Sequence, residues 1–249
     1  MFDAQAQRYR DQLIEPRPDA LPRYWGVDTT EYSVLGLTPA LIAEPVPADE
    51  IERHMAPPWT LWPSWTYVLI ECAAAAGNTS EVGNLVWDII ERVYRVTTRR
   101  APGELGTRPM PGTSPEFWPT DWRTYDGNDA YGWGATTANL LVRHLFGFRE
   151  SRDTRQWALE LAPTFPDAAL ERGRRFGLRR LNYRGVQLDL TYVVRGDGIL
   201  DAELQLETAK QCRVRRLERP PRSVYASRLT QTRHTFPLQV GQVYRVELR

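Results

Sequence analysis

Apolar residues recur at helical spacing in two neighbouring stretches of the first half of the chain. The first stretch covers residues 63–76 and is followed by Gly77, the residue type that most often terminates a helix. The second begins at Asn78, and Glu81 stands three positions later, as in a capping box. Two helices joined by so short a connection form an antiparallel hairpin. A third helix is predicted over residues 134–146.

After residue 150 the apolar residues follow a period of two, which is typical of half-buried strands. Turns are predicted at Arg184-Gly185 and at Gly196-Asp197-Gly198, where glycine allows a left-handed backbone. This pattern indicates a small antiparallel β-sandwich of roughly seven or eight strands. The residues that alternate are Leu159 and Leu161; Leu188, Leu190 and Tyr192; Ala202, Leu204 and Leu206; Val214 and Leu217; and Val243, Val246 and Leu248.

The switch of period predicts an α plus β fold in separate domains, residues 1–150 and residues 151–249. Composition supports the same division of the 249 residues, since eight of the 9 tryptophans precede residue 150. Acidic side chains outnumber basic ones before that position, and basic side chains outnumber acidic ones after it. The arginines of the second domain are scattered through strand-like segments, so we expect outward strand positions and no contact with nucleic acid.

Residues 99–133 are rich in proline and glycine and predict a long loop, a feature that is usually functional or disordered. Sugars suit its composition, because pyranose C–H faces stack on indole and sugar hydroxyls bond to carboxylates. The alternative is that the acidic residues are solvated and the aromatic residues belong to a core. The carboxylates are Glu104, Glu116, Asp121, Asp126 and Asp129, and they are interleaved with Trp118, Trp122, Tyr125, Tyr131 and Trp133.

The sequence lacks the residue patterns that are typical of metal sites, catalytic nucleophiles and cofactor-binding motifs. The chain has 3 histidines and 2 cysteines, and none of them shows the spacing of metal ligands, so no metal site is predicted. We find no nucleophile elbow, no phosphate-binding glycine loop and no dinucleotide fingerprint, and we expect no cofactor. No apolar run reaches bilayer length and the first residues carry no export signal, so we expect a cytoplasmic protein without a membrane segment.

Three short stretches resemble a known group of glycosidases. They are Leu61-Trp62-Pro63-Ser64-Trp65, Pro115-Glu116-Phe117-Trp118-Pro119 and Tyr131-Gly132-Trp133-Gly134-Ala135-Thr136. Together with the helix between them, they look like the last hairpins of the (α/α)6-toroid enzymes related to trehalase, processing α-glucosidase I and mannosylglycerate hydrolase. The segment after residue 150 is similar to the accessory sandwich that often follows these toroids.

The resemblance implies roles for individual residues. Glu116 would be the general base that activates water in an inverting mechanism. The sugar platform would consist of Trp62, Trp65, Trp118, Tyr131 and Trp133. The general acid of the group lies in an earlier segment, and no matching Gly-Trp-Asp stretch occurs in this sequence.

A full toroid needs about twelve helices, and the resemblance therefore implies a partial toroid, the C-terminal portion of such an enzyme acting on α-glucosides or related α-glycosides. We expect this chain to be inactive alone, because departure of the leaving group requires an acid as well as a base. Its partners would be the carbohydrate substrate and the missing N-terminal part of the toroid. If the chain acts alone, Asp126 or Asp129 would have to serve as the acid.

Two interpretations stay open at this stage. In the first, the chain is part of a hydrolase; in the second, it is a noncatalytic carbohydrate-binding or interaction protein. An incomplete toroid should also expose apolar helix faces, for example that of Val82, Leu85 and Ile89, and such faces favour self-association.

Overall fold

The computed structural model describes residues 2–3, 8–9, 62–75, 77–98, 116, 132–151, 157–218 and 220–249. The chain divides into two compact units, Met1–Leu140 and Leu141–Arg249. The described α-helices lie in the first unit, and the second unit is rich in β-strands, so the chain combines α and β parts. The division precedes the position near residue 150 that the sequence suggested, because the strand Phe148–Glu150 pairs within the second unit.

The predicted helical hairpin is confirmed. Helix α1 spans Pro63–Ala75 and helix α2 spans Thr79–Thr98, and the two pack against each other. Between them, Gly77 has a left-handed backbone with φ of 89°. The amides of Gly77 and Asn78 donate to carbonyls of the last turn of α1, at 3.2 and 3.0 Å. This Schellman motif satisfies carbonyls that the end of a helix leaves free, and it explains why α1 stops at this glycine.

The apolar face of α2 differs from the expectation. Val82, Leu85 and Ile89 are buried within the chain, with exposed fractions of 1%, 8% and 3%. They are not the open surface that an incomplete toroid would present. Self-association stays a prediction that this face does not support.

The third helical segment is composite. A 3-10 turn spans Gly132–Gly134, helix α3 spans Ala135–Leu140, and a π-helical turn spans Leu141–Leu145. Within the π turn the Phe146 amide donates to the Leu141 carbonyl at 3.0 Å, five residues back. The segment ends at Gly147, as predicted, with φ of 64°. In the described part of the chain, every helix is too short or too polar to span a bilayer.

The strands of the described residues form three antiparallel sheets. In the first unit β1 (Phe2–Asp3) pairs with β2 (Arg8–Tyr9). The second unit contains β3 (Phe148–Glu150), β4 (Ala158–Leu161), β5 (Arg175–Tyr183), β6 (Val186–Gly196), β7 (Ile199–Lys210), β8 (Cys212–Arg216), β9 (Arg222–Ala226), β10 (Gln231–Gln239) and β11 (Tyr244–Leu248). Their orders are β10-β7-β6-β5 in a 4-stranded sheet and β3-β4-β11-β8-β9 in a 5-stranded sheet.

Two tight turns connect β5 to β6 and β6 to β7. Arg184 and Gly185 have φ of 49° and 74°, and Asp197 and Gly198 have φ of 54° and 69°. Two successive left-handed residues are characteristic of type I′ turns, whose twist matches that of the flanking strands. Both predicted turns are confirmed.

Alternate residues of the two larger sheets form the core of the second unit. Leu188, Leu190 and Tyr192 of β6 are all buried. Across the core, the ring of Tyr225 on β9 lies 5.7 Å from that of Phe236 on β10. These contacts join the 4-stranded sheet to the 5-stranded one in a sandwich-like arrangement. Leu217 departs from the prediction, since it follows β8 and is 42% exposed.

Buried His234 connects these two sheets and gives the first prediction. Its Nδ1 lies 3.2 Å from the Tyr225 hydroxyl, in the neighbourhood of the buried Cys212 thiol. Burial lowers the pKa of His234 below its ordinary 6.5, although the neighbouring backbone of Lys210 and Gln231 opposes the shift. Above pH 7 the imidazole is neutral in both the folded and the unfolded chain, so it adds no pH dependence there. As the pH falls through 6.5 the unfolded chain takes up a proton first, and the folded state loses stability.

We therefore expect the free energy of unfolding to fall between pH 7 and pH 5, by at most about 1.4 kcal/mol per pH unit from this residue. Urea unfolding of the wild type and of His234→Gln across this range measures the effect. In the His234→Gln variant the free energy of unfolding should fall less steeply with pH, because the contribution of His234 is removed. Identical slopes for the two proteins would contradict the assignment.

Candidate functional site

Helix α1 begins at the predicted Trp-Pro pair. The Trp62 carbonyl accepts the first helical hydrogen bond, from the Thr66 amide at 2.8 Å. Pro63 occupies the first helical position, where its missing amide hydrogen costs nothing and its fixed φ favours the helix. Trp62 is partly buried. The local sequence thus positions Trp62 directly at the start of α1.

The second helix start that was predicted to be aromatic, at Trp133, lies beside the first, at Trp62. Trp133 belongs to the 3-10 turn before α3, and both this turn and α3 contact α1. The Thr136 hydroxyl donates to the Pro63 carbonyl at 3.4 Å, across 73 positions of sequence. The structure therefore brings the start of α1, with Trp62, next to the helical segment whose first turn contains Trp133.

The remaining predicted residues are placed only in part. Glu116 lies at a bend and is partly buried. Trp65 lies within α1, and Trp133 lies in the 3-10 turn before α3. The other members of the predicted site fall outside the described residues: Trp118, Tyr131, Asp126 and Asp129.

Two threonines near the paired helix starts were missed at the level of the sequence. Thr136 provides the hydrogen bond to Pro63, and only its position after the Trp133-Gly134 pair could have indicated such a role. Thr66 is 1% exposed, and its hydroxyl has no hydrogen-bond partner among the described residues. A single buried threonine in a helix that also contains Ser64 and Glu71 gives no signal in the sequence pattern. These residues add hydroxyl groups to an end of the helices that was predicted to be aromatic.

The two cysteines do not provide a nucleophile. Cys72 on α1 and Cys212 on β8 are free and buried. Burial raises the pKa of the Cys72 thiol to about 12, and the neighbouring Glu71 carboxylate adds to the shift. Burial alone raises the pKa of the Cys212 thiol to about 12. Both thiols are protonated at neutral pH, whereas the reactive species is the thiolate.

Among the described residues, no three side chains of histidine, cysteine, aspartate or glutamate are grouped so that they could hold a metal ion. The chemistry that these residues can provide is therefore that of carboxylates, hydroxyls, arginines and aromatic rings. Comparison of the chain with protein-family models, with curated proteins and with solved structures gives no match.

Proposed function

We propose that this chain is the C-terminal portion of an inverting glycoside hydrolase that acts on α-glucosides or related α-glycosides. The observation that carries the proposal is the hydrogen bond from Thr136 to Pro63. It brings together two helix starts that the sequence marks as aromatic, Trp62-Pro63 and Trp133-Gly134. In the glycosidases that the sequence resembles, these two kinds of helix start line the sugar site.

The proposed site combines stacking with acid–base chemistry. Indole rings at the helix starts would stack on the C–H faces of a pyranose, while hydroxyls such as that of Thr136 lie within the same end of the unit. Glu116 would activate the attacking water. The helices would form part of an (α/α) toroid, and the second unit would be its accessory β-sandwich.

An inverting mechanism requires two carboxyl groups. The base activates water on one face of the sugar, and the acid protonates the leaving oxygen from the other, with the two roughly 6.5 to 9.5 Å apart. The sequence offers Glu116 as the base but no counterpart of the acid of the resembled group. The chain alone should therefore bind sugar without hydrolysing it, unless Asp126 or Asp129 acts as the acid.

One observation favours a second function, that of a noncatalytic carbohydrate-binding protein. The face of α2 formed by Val82, Leu85 and Ile89 is already buried within this chain. A unit that covers its own apolar surface needs no further hairpins to do so. In that case the same paired helix starts would bind a glycan, and no bond would be broken.

A single pair of measurements tests the proposal. The chain is incubated with maltose and with trehalose, product anomers are followed by proton NMR, and binding is followed by quenching of tryptophan fluorescence. Release of glucose with inverted configuration supports the hydrolase. Saturable quenching without product supports a sugar-binding site, which a binding protein and a hydrolase portion without its acid have in common. Neither quenching nor product would overturn both.

A further inference from the structure

The second unit has a polar cavity on the exposed face of its 4-stranded sheet. Its volume is about 500 Å³, within the usual range for sites that bind small molecules. Three arginines contribute to its lining, Arg179, Arg180 and Arg233. They come from β5 and β10, the two edge strands of this sheet. The cavity therefore lies across all four strands.

A β-bulge creates the arginine pair on β5. The pairing with β6 shifts between Leu178 and Leu181, so that Arg179 and Arg180 together stand opposite a single residue, Asp189. In a regular strand two successive side chains point to opposite faces, but both of these arginines are exposed and line the same cavity.

The carboxylate of Asp189 holds the bulge in place. Arg180 has a left-handed backbone with φ of 57°, a conformation that is costly for a residue with a side chain. Its amide donates to Asp189 Oδ1 at 2.7 Å, which fixes this conformation. Bulges of this kind often re-aim side chains next to binding sites.

Glu203 positions the third arginine. Its Oε2 accepts hydrogen bonds from Arg233 and from Arg175, each at 3.0 Å. The Arg233 side chain is still 65% exposed, so its remaining donors can reach a ligand. Among the described residues, the guanidinium groups of Arg179 and Arg180 form no ion pair. The lining therefore retains positive charge that its own carboxylates do not neutralise.

The floor of the cavity is kept open by a glycine. Gly177 on β5 pairs with Thr191 on β6, which also lines the cavity. A Cβ atom at Gly177 would lie 3.3 Å from the Thr191 hydroxyl oxygen, closer than most such contacts. Without that atom the hydroxyl stays accessible. Gln205 of β7 adds an amide to the same lining.

We propose that this cavity binds the carboxylate and hydroxyl groups of a uronic acid, the charged unit of acidic polysaccharides. Arginine matches a carboxylate through paired, charge-assisted hydrogen bonds. Thr191, Gln205 and Asp189 offer the donors and acceptors that sugar hydroxyls require. This site lies in the second unit and does not depend on the role of Glu116.

Nucleic acid fits the cavity less well than an acidic sugar. The phosphates of a polynucleotide would approach both Asp189 and Glu203, which carry charge of the same sign. The lining contains no aromatic side chain from the part of the chain that the structure describes, so these residues offer no stacking surface for bases. A ligand with one charge and several hydroxyls satisfies both the arginines and the carboxylates.

The test is a titration of the full chain, labelled with ¹⁵N, with sodium glucuronate, methyl glucoside and sodium phosphate, followed by NMR. We expect saturable shifts of the Gly177 and Arg180 amides with glucuronate, with a Kd of about 1 to 10 mM, the strength of a few charge-assisted hydrogen bonds on an open surface. Methyl glucoside and phosphate should each bind at least about tenfold more weakly than glucuronate. Methyl glucoside lacks the carboxylate, and phosphate lacks the sugar hydroxyls.

Arg179→Gln should weaken glucuronate binding about tenfold, since it removes a charged donor from an exposed position. Arg222→Gln, on β9 of the other sheet, makes the same change in net charge and should leave binding unchanged. Absence of saturable shifts overturns the proposal. Binding of phosphate as tight as that of glucuronate would indicate a general anion site and would also overturn the proposal. A loss of glucuronate affinity in Arg222→Gln equal to that in Arg179→Gln would do the same.

Discussion

Glu116→Gln is expected to abolish glycoside hydrolysis in every preparation of this chain that shows it. Glutamine keeps the shape and hydrogen-bonding atoms of glutamate but cannot take a proton from water at neutral pH. A positioned general base contributes about 100-fold to 10,000-fold to the rate, so kcat should fall by at least about 100-fold. Sugar affinity should stay nearly unchanged, because the base acts mainly in the transition state.

Initial rates and binding constants of the wild type and the variant measure this split. Glu171→Gln is a suitable control, since Glu171 is an exposed residue of the second unit. A variant that keeps more than a few per cent of the wild-type rate would exclude Glu116 as the base. If the chain hydrolyses sugars alone, Asp126→Asn and Asp129→Asn extend the test to the acid.

Gly147→Ala is expected to destabilise the second unit by about 3 kcal/mol or more, the sum of backbone strain and overpacking. Gly147 has φ of 64°, which already disfavours alanine. A Cβ atom there would overlap the carbonyl carbon of Ala162, so that the backbone must move. The same movement would stretch the hydrogen bond from the Ala162 amide to the Gly147 carbonyl, now 2.9 Å.

The variant Gly173→Ala separates the destabilisation caused by backbone strain from that caused by overpacking. Gly173 also has a left-handed backbone, with φ of 87°, but no atom lies within 4 Å of a Cβ built on it. This control should lose only about 1 kcal/mol, the conformational cost alone. Urea unfolding monitored by circular dichroism compares the variants. Equal stabilities of Gly147→Ala and Gly173→Ala would show that the contact with Ala162 does not constrain the fold.

Local signals made the helical hairpin and two of the turns predictable. Gly77 ends α1 because the Schellman motif needs a left-handed residue, and the sequence shows a glycine there. The pairs Arg184-Gly185 and Asp197-Gly198 take type I′ turns for a related reason. In each case the backbone requirement and the residue that meets it lie within a few positions of each other.

The edge strands of the 4-stranded sheet could not be predicted in the same way. In β5 the bulge at Arg179 and Arg180 inserts one residue, so the alternation before it does not continue after it. In β10 the buried positions include His234, and the strand also contains Pro237, a residue that usually argues against a strand. Polar and irregular residues obscured the period of two in both strands.

Local sequence patterns could not predict that the starts of α1 and α3 lie next to each other. Thr136 and Pro63 are separated by 73 positions, and their contact depends on how the helices of the first unit pack. The resemblance to toroid glycosidases indicated the aromatic residues at these starts. It did not indicate the hydroxyl groups of Thr66 and Thr136 beside them.

The central claim is that the paired helix starts bind a sugar, and isothermal titration of the chain with maltose tests it most directly. Trp62→Ala should lower the affinity about tenfold, because it removes the stacking surface at the start of α1. Trp157→Ala, in the second unit, should leave the affinity unchanged, with the fold of both variants checked by circular dichroism. Equal affinities of the wild type and Trp62→Ala would contradict the account.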